Sequence, residues 1–86
     1  MLKIETTHDD GGTIVRLIGR IDSQNVGEIE ANVRGNRDRL TLDLEEVTLV
    51  DMDTIEFLLK CESQGVTLRH CLPYIRAWME KVRETL

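Results

Sequence analysis

The feature that most constrains the fold is a change of hydrophobic period within residues 40–59, LTLDLEEVTLVDMDTIEFLL. In LTLDL the leucines alternate with polar residues, which predicts a strand with one buried face. From Ile55 on, apolar residues recur at the i, i+3 and i+4 spacing of a helix with one buried face. The acidic segment of residues 51–54 is therefore predicted to lie at a strand-to-helix junction.

The composition is that of a small folded protein. The 86 residues suffice for one domain, residues 1–86, and the shares of 41% apolar and 31% charged residues are typical of globular chains. A net charge of -5 without any basic run argues against a nucleic-acid partner, which needs clustered Lys and Arg. No apolar stretch approaches the roughly 18 residues of a membrane span, and the first residues lack a signal-peptide core. We therefore expect a cytoplasmic protein without direct membrane insertion.

The remaining patterns predict an α/β fold. The turn signal at residues 8–12 makes the first two strands a hairpin. Alternating strands and helices favour a small mixed sheet of about four strands, whose later strands are parallel through right-handed crossovers. The predicted order is ββαβαβα: strands at 2–7 and 13–19, a helix from an N-cap within 22–25 to near Gly35, a polar loop at 34–38, a strand from Leu40, a helix at 54–64, a strand at 66–70 and a helix with Pro73 in its first turn.

Two cysteines and one histidine are candidate metal ligands. Cys61 and Cys71 lie among apolar neighbours, so they are predicted to be reduced thiols packed in the core. A zinc site made of these thiols and His70 is not favoured, because the chain has neither a C-x-x-C motif nor a second ligand pair. We expect no metal and no cofactor.

The acidic junction has a purely structural interpretation. Asp53 lies three residues before Glu56, which is the spacing of a capping box with Asp53 as the capping residue. Asp51 is an alternative cap, with Thr54 following it. Two carboxylates in one turn should raise the pKa of at least one of them unless hydrogen-bond donors compensate.

An enzymatic interpretation finds little support. No Ser-His-Asp, Cys-His, P-loop or H-E-x-x-H arrangement is present. A phosphoacceptor domain with a Mg²⁺ site at Asp43, Asp51 or Asp53 would also need an acidic pair after the first strand and a Lys after a late strand, and neither is evident. We predict no catalytic residue and no enzyme activity.

Two segments resemble a known family. IVRLIGRID, residues 14–22, is similar to its strand, Gly and "l-D" opening, and LDLEEVTLVDMDTI, residues 42–55, is similar to its "l-D-l-s-x-v-x-f-i-D-S-S-G-l" core. The family is the STAS domain, named for sulfate transporters and anti-sigma-factor antagonists. The resemblance covers residues 3–82 in order. It implies a sheet with helices largely on one face, in agreement with the predicted element order.

The resemblance places a regulatory position at Asp53. In bacterial antagonists of this family, the Ser just before the Gly is phosphorylated by an anti-sigma kinase, which disrupts their complex. Met52, Asp53 and Thr54 stand where S-S-G would stand. Asp53 thus carries a permanent charge of -1, against about -1.5 to -2 for a phosphoryl group. Thr54 and Ser23 are alternative phosphosites.

The resemblance implies a non-catalytic module in bacterial signal transduction and transcription regulation. Its protein partner, an anti-sigma factor or a kinase-like protein, would dock on Asp51, Met52, Asp53, Thr54 and Glu56. The module is either locked in a phosphorylated-like state or diverged, with a partner that presents Arg or Lys to the two aspartates. The alternative function is an accessory subunit that docks on the ATPase of an ABC-type lipid or solvent transporter. The oligomeric state, including a homodimer, stays open.

Overall fold

The computed structural model describes residues 2–35 and 39–85 and confirms the predicted order ββαβαβα. Residues 36–38, which belong to the predicted polar loop, lie outside the described residues. The elements are β1 (Leu2–Asp9), β2 (Gly12–Ile21), α1 (Ser23–Gly35), β3 (Leu40–Val50), α2 (Met52–Ser63), β4 (Thr67–Arg69) and α3 (Pro73–Thr85).

The strands form one mixed sheet in the order β1-β2-β3-β4. β1 and β2 are an antiparallel hairpin, whereas β2–β3 and β3–β4 are parallel. The hairpin requires glycine at position 12, where φ is 131° and a Cβ would overlap the backbone carbonyl of Arg39. The sheet is therefore the mixed four-stranded sheet that the sequence predicts.

The hydrophobic core lies between one face of the sheet and the three helices. Val15, Leu17, Leu42 and Leu44 are fully buried at alternate strand positions, and they join buried residues of all three helices in one cluster. Burial of each such leucine stabilises the fold by roughly 1.5–3 kcal/mol. The intervening strand positions, among them Arg16, make up the other face of the sheet.

Several boundaries differ from the predicted ones, and β1 and β2 are both longer than predicted. α2 begins at Met52, two residues before the predicted start, because the helix is capped from Asp51. β4 is shorter than predicted, since His70 adopts a φ of 57° and leaves the strand. β3 runs unbroken to Val50, with register shifts against β2 that insert extra residues into it.

Two other local predictions, at Gly65 and Cys61, are confirmed. Gly65 follows α2 with a φ of 93°, the conformation that stops a helix. Cys61 is buried in the core and Cys71 is half-buried, and both are free thiols. Burial, assisted by the charge of Glu30, raises the pKa of the Cys61 thiol to about 11. Within residues 2–35 and 39–85, no helix is both long enough and apolar enough to cross a membrane.

Candidate functional site

Asp51 is the residue that joins the N-termini of two helices. It precedes α2 as the N-cap, and its Oδ1 accepts hydrogen bonds from the Thr54 backbone N–H at 2.9 Å and from the Thr54 hydroxyl at 2.8 Å. Its Oδ2 accepts a hydrogen bond from the backbone N–H of Ser23, the first residue of α1, at 2.9 Å. Both carboxylate oxygens are therefore committed to the protein's own donors.

These donors decide the ionisation of Asp51. Burial by itself would raise the pKa of its carboxyl group. The hydrogen bonds from Thr54 and Ser23 outweigh that effect and lower the pKa below the ordinary value of 3.8. The rise in pKa predicted for crowded carboxylates is therefore absent at Asp51, where hydrogen-bond donors lower the pKa instead. The prediction that Asp53 is the capping residue is wrong, whereas the alternative cap, Asp51, is confirmed, because the Thr54 N–H bonds to the Asp51 carboxylate.

Thr54 is locked beneath the first turn of α2. The residue is fully buried, and its hydroxyl lies 3.3 Å from the carbonyl oxygen of Ile21 as well as next to Asp51. A threonine side chain therefore ties the end of β2 to the start of α2. Phosphorylation of Thr54 would require this turn to open. Ser23, the other alternative phosphosite, is exposed at the start of α1.

Asp53 is placed differently from Asp51. It is exposed in the first turn of α2, and in the part of the chain that the structure describes its side chain makes no hydrogen bond or ion pair. The helix dipole favours a negative charge there, and the carboxylate oxygens stay available as hydrogen-bond acceptors. Glu56 follows one turn later, is also exposed and is equally free among those residues. The two carboxylates are neighbours on one helix face.

Apolar side chains border these carboxylates. Three large hydrophobic side chains of residues 2–35 and 39–85 are exposed, namely Leu49 (52%), Met52 (48%) and Tyr74 (45%). Leu49 and Met52 flank the junction between β3 and α2. The Tyr74 hydroxyl donates to the Thr48 carbonyl at 3.2 Å, which brings α3 to the same end of the sheet.

We call this group the β3–α2 surface; it consists of Leu49, Met52, Asp53, Glu56 and Tyr74. Of the five residues predicted as a docking site, Met52, Asp53 and Glu56 lie on it. Asp51 and Thr54 lie outside it, and the hydrogen bonds between them hold the first turn of α2 in place. Leu49 and Tyr74 were missed. Alternation alone would place Leu49 on the buried face with Val47, two residues earlier; the register shift between Val47 and Leu49 exposes it instead.

Comparisons with known proteins support the fold. No known protein family matches the sequence, and no curated protein does. Among solved structures, the chain is similar to the anti-sigma factor antagonist SpoIIAA in its unphosphorylated form, with a TM-score of 0.69 and 15% sequence identity over 93% of this chain and 82% of that one. The chain therefore has the STAS fold of SpoIIAA, and the predicted fold class is confirmed.

Proposed function

We propose that the protein is a non-catalytic regulatory module that binds a protein partner through the β3–α2 surface, in the manner of an anti-sigma-factor antagonist in the bacterial cytoplasm. The fold similarity to SpoIIAA supports the regulatory class. The observation that carries the proposal is the separation of roles at the junction. Both carboxylate oxygens of Asp51 accept hydrogen bonds from the protein itself, whereas Asp53 is exposed and unpaired within the described residues.

The composition of the surface defines the partner's chemistry. Exposed apolar side chains such as Leu49 and Met52 stabilise a complex when the partner buries them away from water. Asp53 and Glu56 favour Arg or Lys on the partner. At the rim of an interface such pairs contribute mainly to association rate and specificity. The partner therefore combines an apolar contact area with at least one basic side chain.

Asp53 gives the module a fixed charge. Its carboxylate occupies the position where the resembled family carries a phosphorylatable Ser. The partner contact proposed here does not depend on a kinase, because the charge is always present. In the alternative, phosphorylated-like state, the same charge would keep a kinase-like partner away.

Affinity capture of the tagged protein from its native host tests the proposal. We expect wild type to retain a specific protein partner that both Asp53→Ala and Asp53→Ser retain only weakly. Glu84→Ala is the matched control, since it removes an exposed carboxylate near the far end of α3. Equal capture by all four proteins would exclude Asp53 from the interface.

Two other outcomes identify the alternatives. A partner that appears only with Asp53→Ser would show that the wild-type charge locks the module in a phosphorylated-like state. Capture of a transporter ATPase would instead identify an accessory subunit. Either result would contradict the proposed contact between Asp53 and a basic side chain or the proposed regulatory class, respectively.

A further inference from the structure

Three side chains with metal-binding atoms meet beside β3, far along the strand from α2. The Nδ1 atom of His70 lies 3.1 Å from Oδ1 of Asp43 and 3.2 Å from Oε2 of Glu45. The ligand atoms of all three residues lie within 4.8 Å of one another. One imidazole nitrogen thus faces two carboxylates that belong to a different segment of the chain.

The sheet itself builds this arrangement. Asp43 pairs in register with Arg69, so the next residue, His70, emerges beside it. β3 places two residues, Leu44 and Glu45, opposite the single Leu17 of β2, which is a bulge. The Glu45 N–H donates to Asp43 Oδ1 at 3.0 Å and fixes that carboxylate. Asp43 keeps only 13% of its side-chain surface exposed, whereas Glu45 and His70 are open to solvent.

The distances suit a metal ion. Zinc binds His nitrogen and carboxylate oxygen at about 2.0–2.2 Å, so neighbouring ligands of a tetrahedral ion are about 3.4 Å apart. The two measured separations from His70 are close to that value. A neutral imidazole with its proton on Nε2 can offer Nδ1 to the ion. Arg69 is the neighbouring cation, and it makes no ion pair with either carboxylate among the described residues.

We propose that Asp43, Glu45 and His70 bind one divalent transition-metal ion of the zinc type, with water completing its coordination. Two carboxylates and one imidazole supply oxygen and nitrogen ligands that bind such ions. Structural zinc sites, by contrast, are usually rich in cysteine sulfur. The ion links β3 to the segment between β4 and α3. This site differs from a zinc site made of the two thiols and His70, because neither cysteine belongs to the cluster.

Calorimetric titration of chelator-treated protein with ZnCl₂ tests the site. We expect one ion per wild-type chain and at least about tenfold weaker binding for His70→Ala, Asp43→Asn and Glu45→Gln. The asparagine at position 43 retains an oxygen that can accept the Glu45 N–H. His8→Ala is the matched control, since His8 is the other histidine and its ring bonds to Thr13 instead. Cys71→Ser should bind zinc as wild type does.

A second readout separates specific binding from a folding defect. Zinc should shift the imidazole NMR signals of His70 and leave those of His8 unchanged. At about 100 times its dissociation constant it should also raise the Tm of wild type by roughly 5 °C or more, but not that of His70→Ala. Absence of 1:1 binding, equal binding by His70→Ala, or loss of binding in Cys71→Ser would each overturn the proposal.

Discussion

Replacement of Asp51 by alanine is expected to lower the free energy of unfolding by about 2–3 kcal/mol. The substitution removes the N-cap of α2, for which losses of about 0.5–2 kcal/mol are usual. It also leaves the Ser23 N–H without its acceptor and the buried Thr54 hydroxyl with only the longer contact to the Ile21 carbonyl. Because one carboxylate serves both helices, its removal weakens two elements together. Urea unfolding followed by circular dichroism measures the change.

The control for this prediction is Asp53→Ala, which removes the same charge two residues later. Asp53 makes no described side-chain bond, so the expected change is within about 0.5 kcal/mol. Asp51→Asn, which keeps one acceptor oxygen, should fall between the two. Equal destabilisation by Asp51→Ala and Asp53→Ala would contradict the division of roles between the aspartates.

The dependence of stability on pH gives a second measurement at Asp51. The pKa of this carboxyl in the folded protein is lower than its ordinary value of 3.8. The unfolded chain therefore binds the proton more readily, so the stabilisation is complete above pH 3.8 and is lost as the pH falls through the folded-state pKa. Wild type should lose stability more steeply than Asp51→Asn in this acid range.

Reversal of charge at Asp53 is expected to weaken partner binding by about 100-fold. Asp53→Lys would place a like charge against the basic side chain that we propose on the partner, and such contacts cost several kcal/mol. Stability should change by no more than about 1 kcal/mol, because the side chain is exposed and only the interaction with the helix dipole is lost. Titration of the captured, purified partner into the folded variant measures the affinity.

Glu84→Lys is the matched reversal, since it makes the same change in net charge on an exposed site of α3. It should alter the affinity by less than about threefold at physiological salt, where charges far from the interface are screened. A loss of similar size in both variants would show that overall charge, and not the β3–α2 surface, determines binding.

The element order could be predicted because it depends on local patterns. The switch from alternating leucines to the helical spacing after Ile55 is visible in the sequence, and the structure has β3 and α2 there. The roles of Asp51 and Asp53 could not be separated in this way, because either spacing allows a cap. The acceptor was decided by the position of α1, whose Ser23 N–H reaches Asp51 from 28 residues away.

Contacts between distant segments were the part that the sequence could not supply. His70 and Asp43 meet because β3 and β4 pair in one particular parallel register. Similarly, the exposure of Leu49 and Tyr74 depends on how β3 ends beside α3. Such features follow from tertiary packing, which a single sequence constrains only weakly.

The most direct test of the docking surface is an NMR titration of isotope-labelled protein with its captured partner. The account predicts that the largest changes in backbone amide shifts occur at Leu49, Met52, Asp53 and Glu56. Changes confined to the opposite face of the sheet, around Lys3 and Arg16, with the start of α2 unaffected, would contradict it.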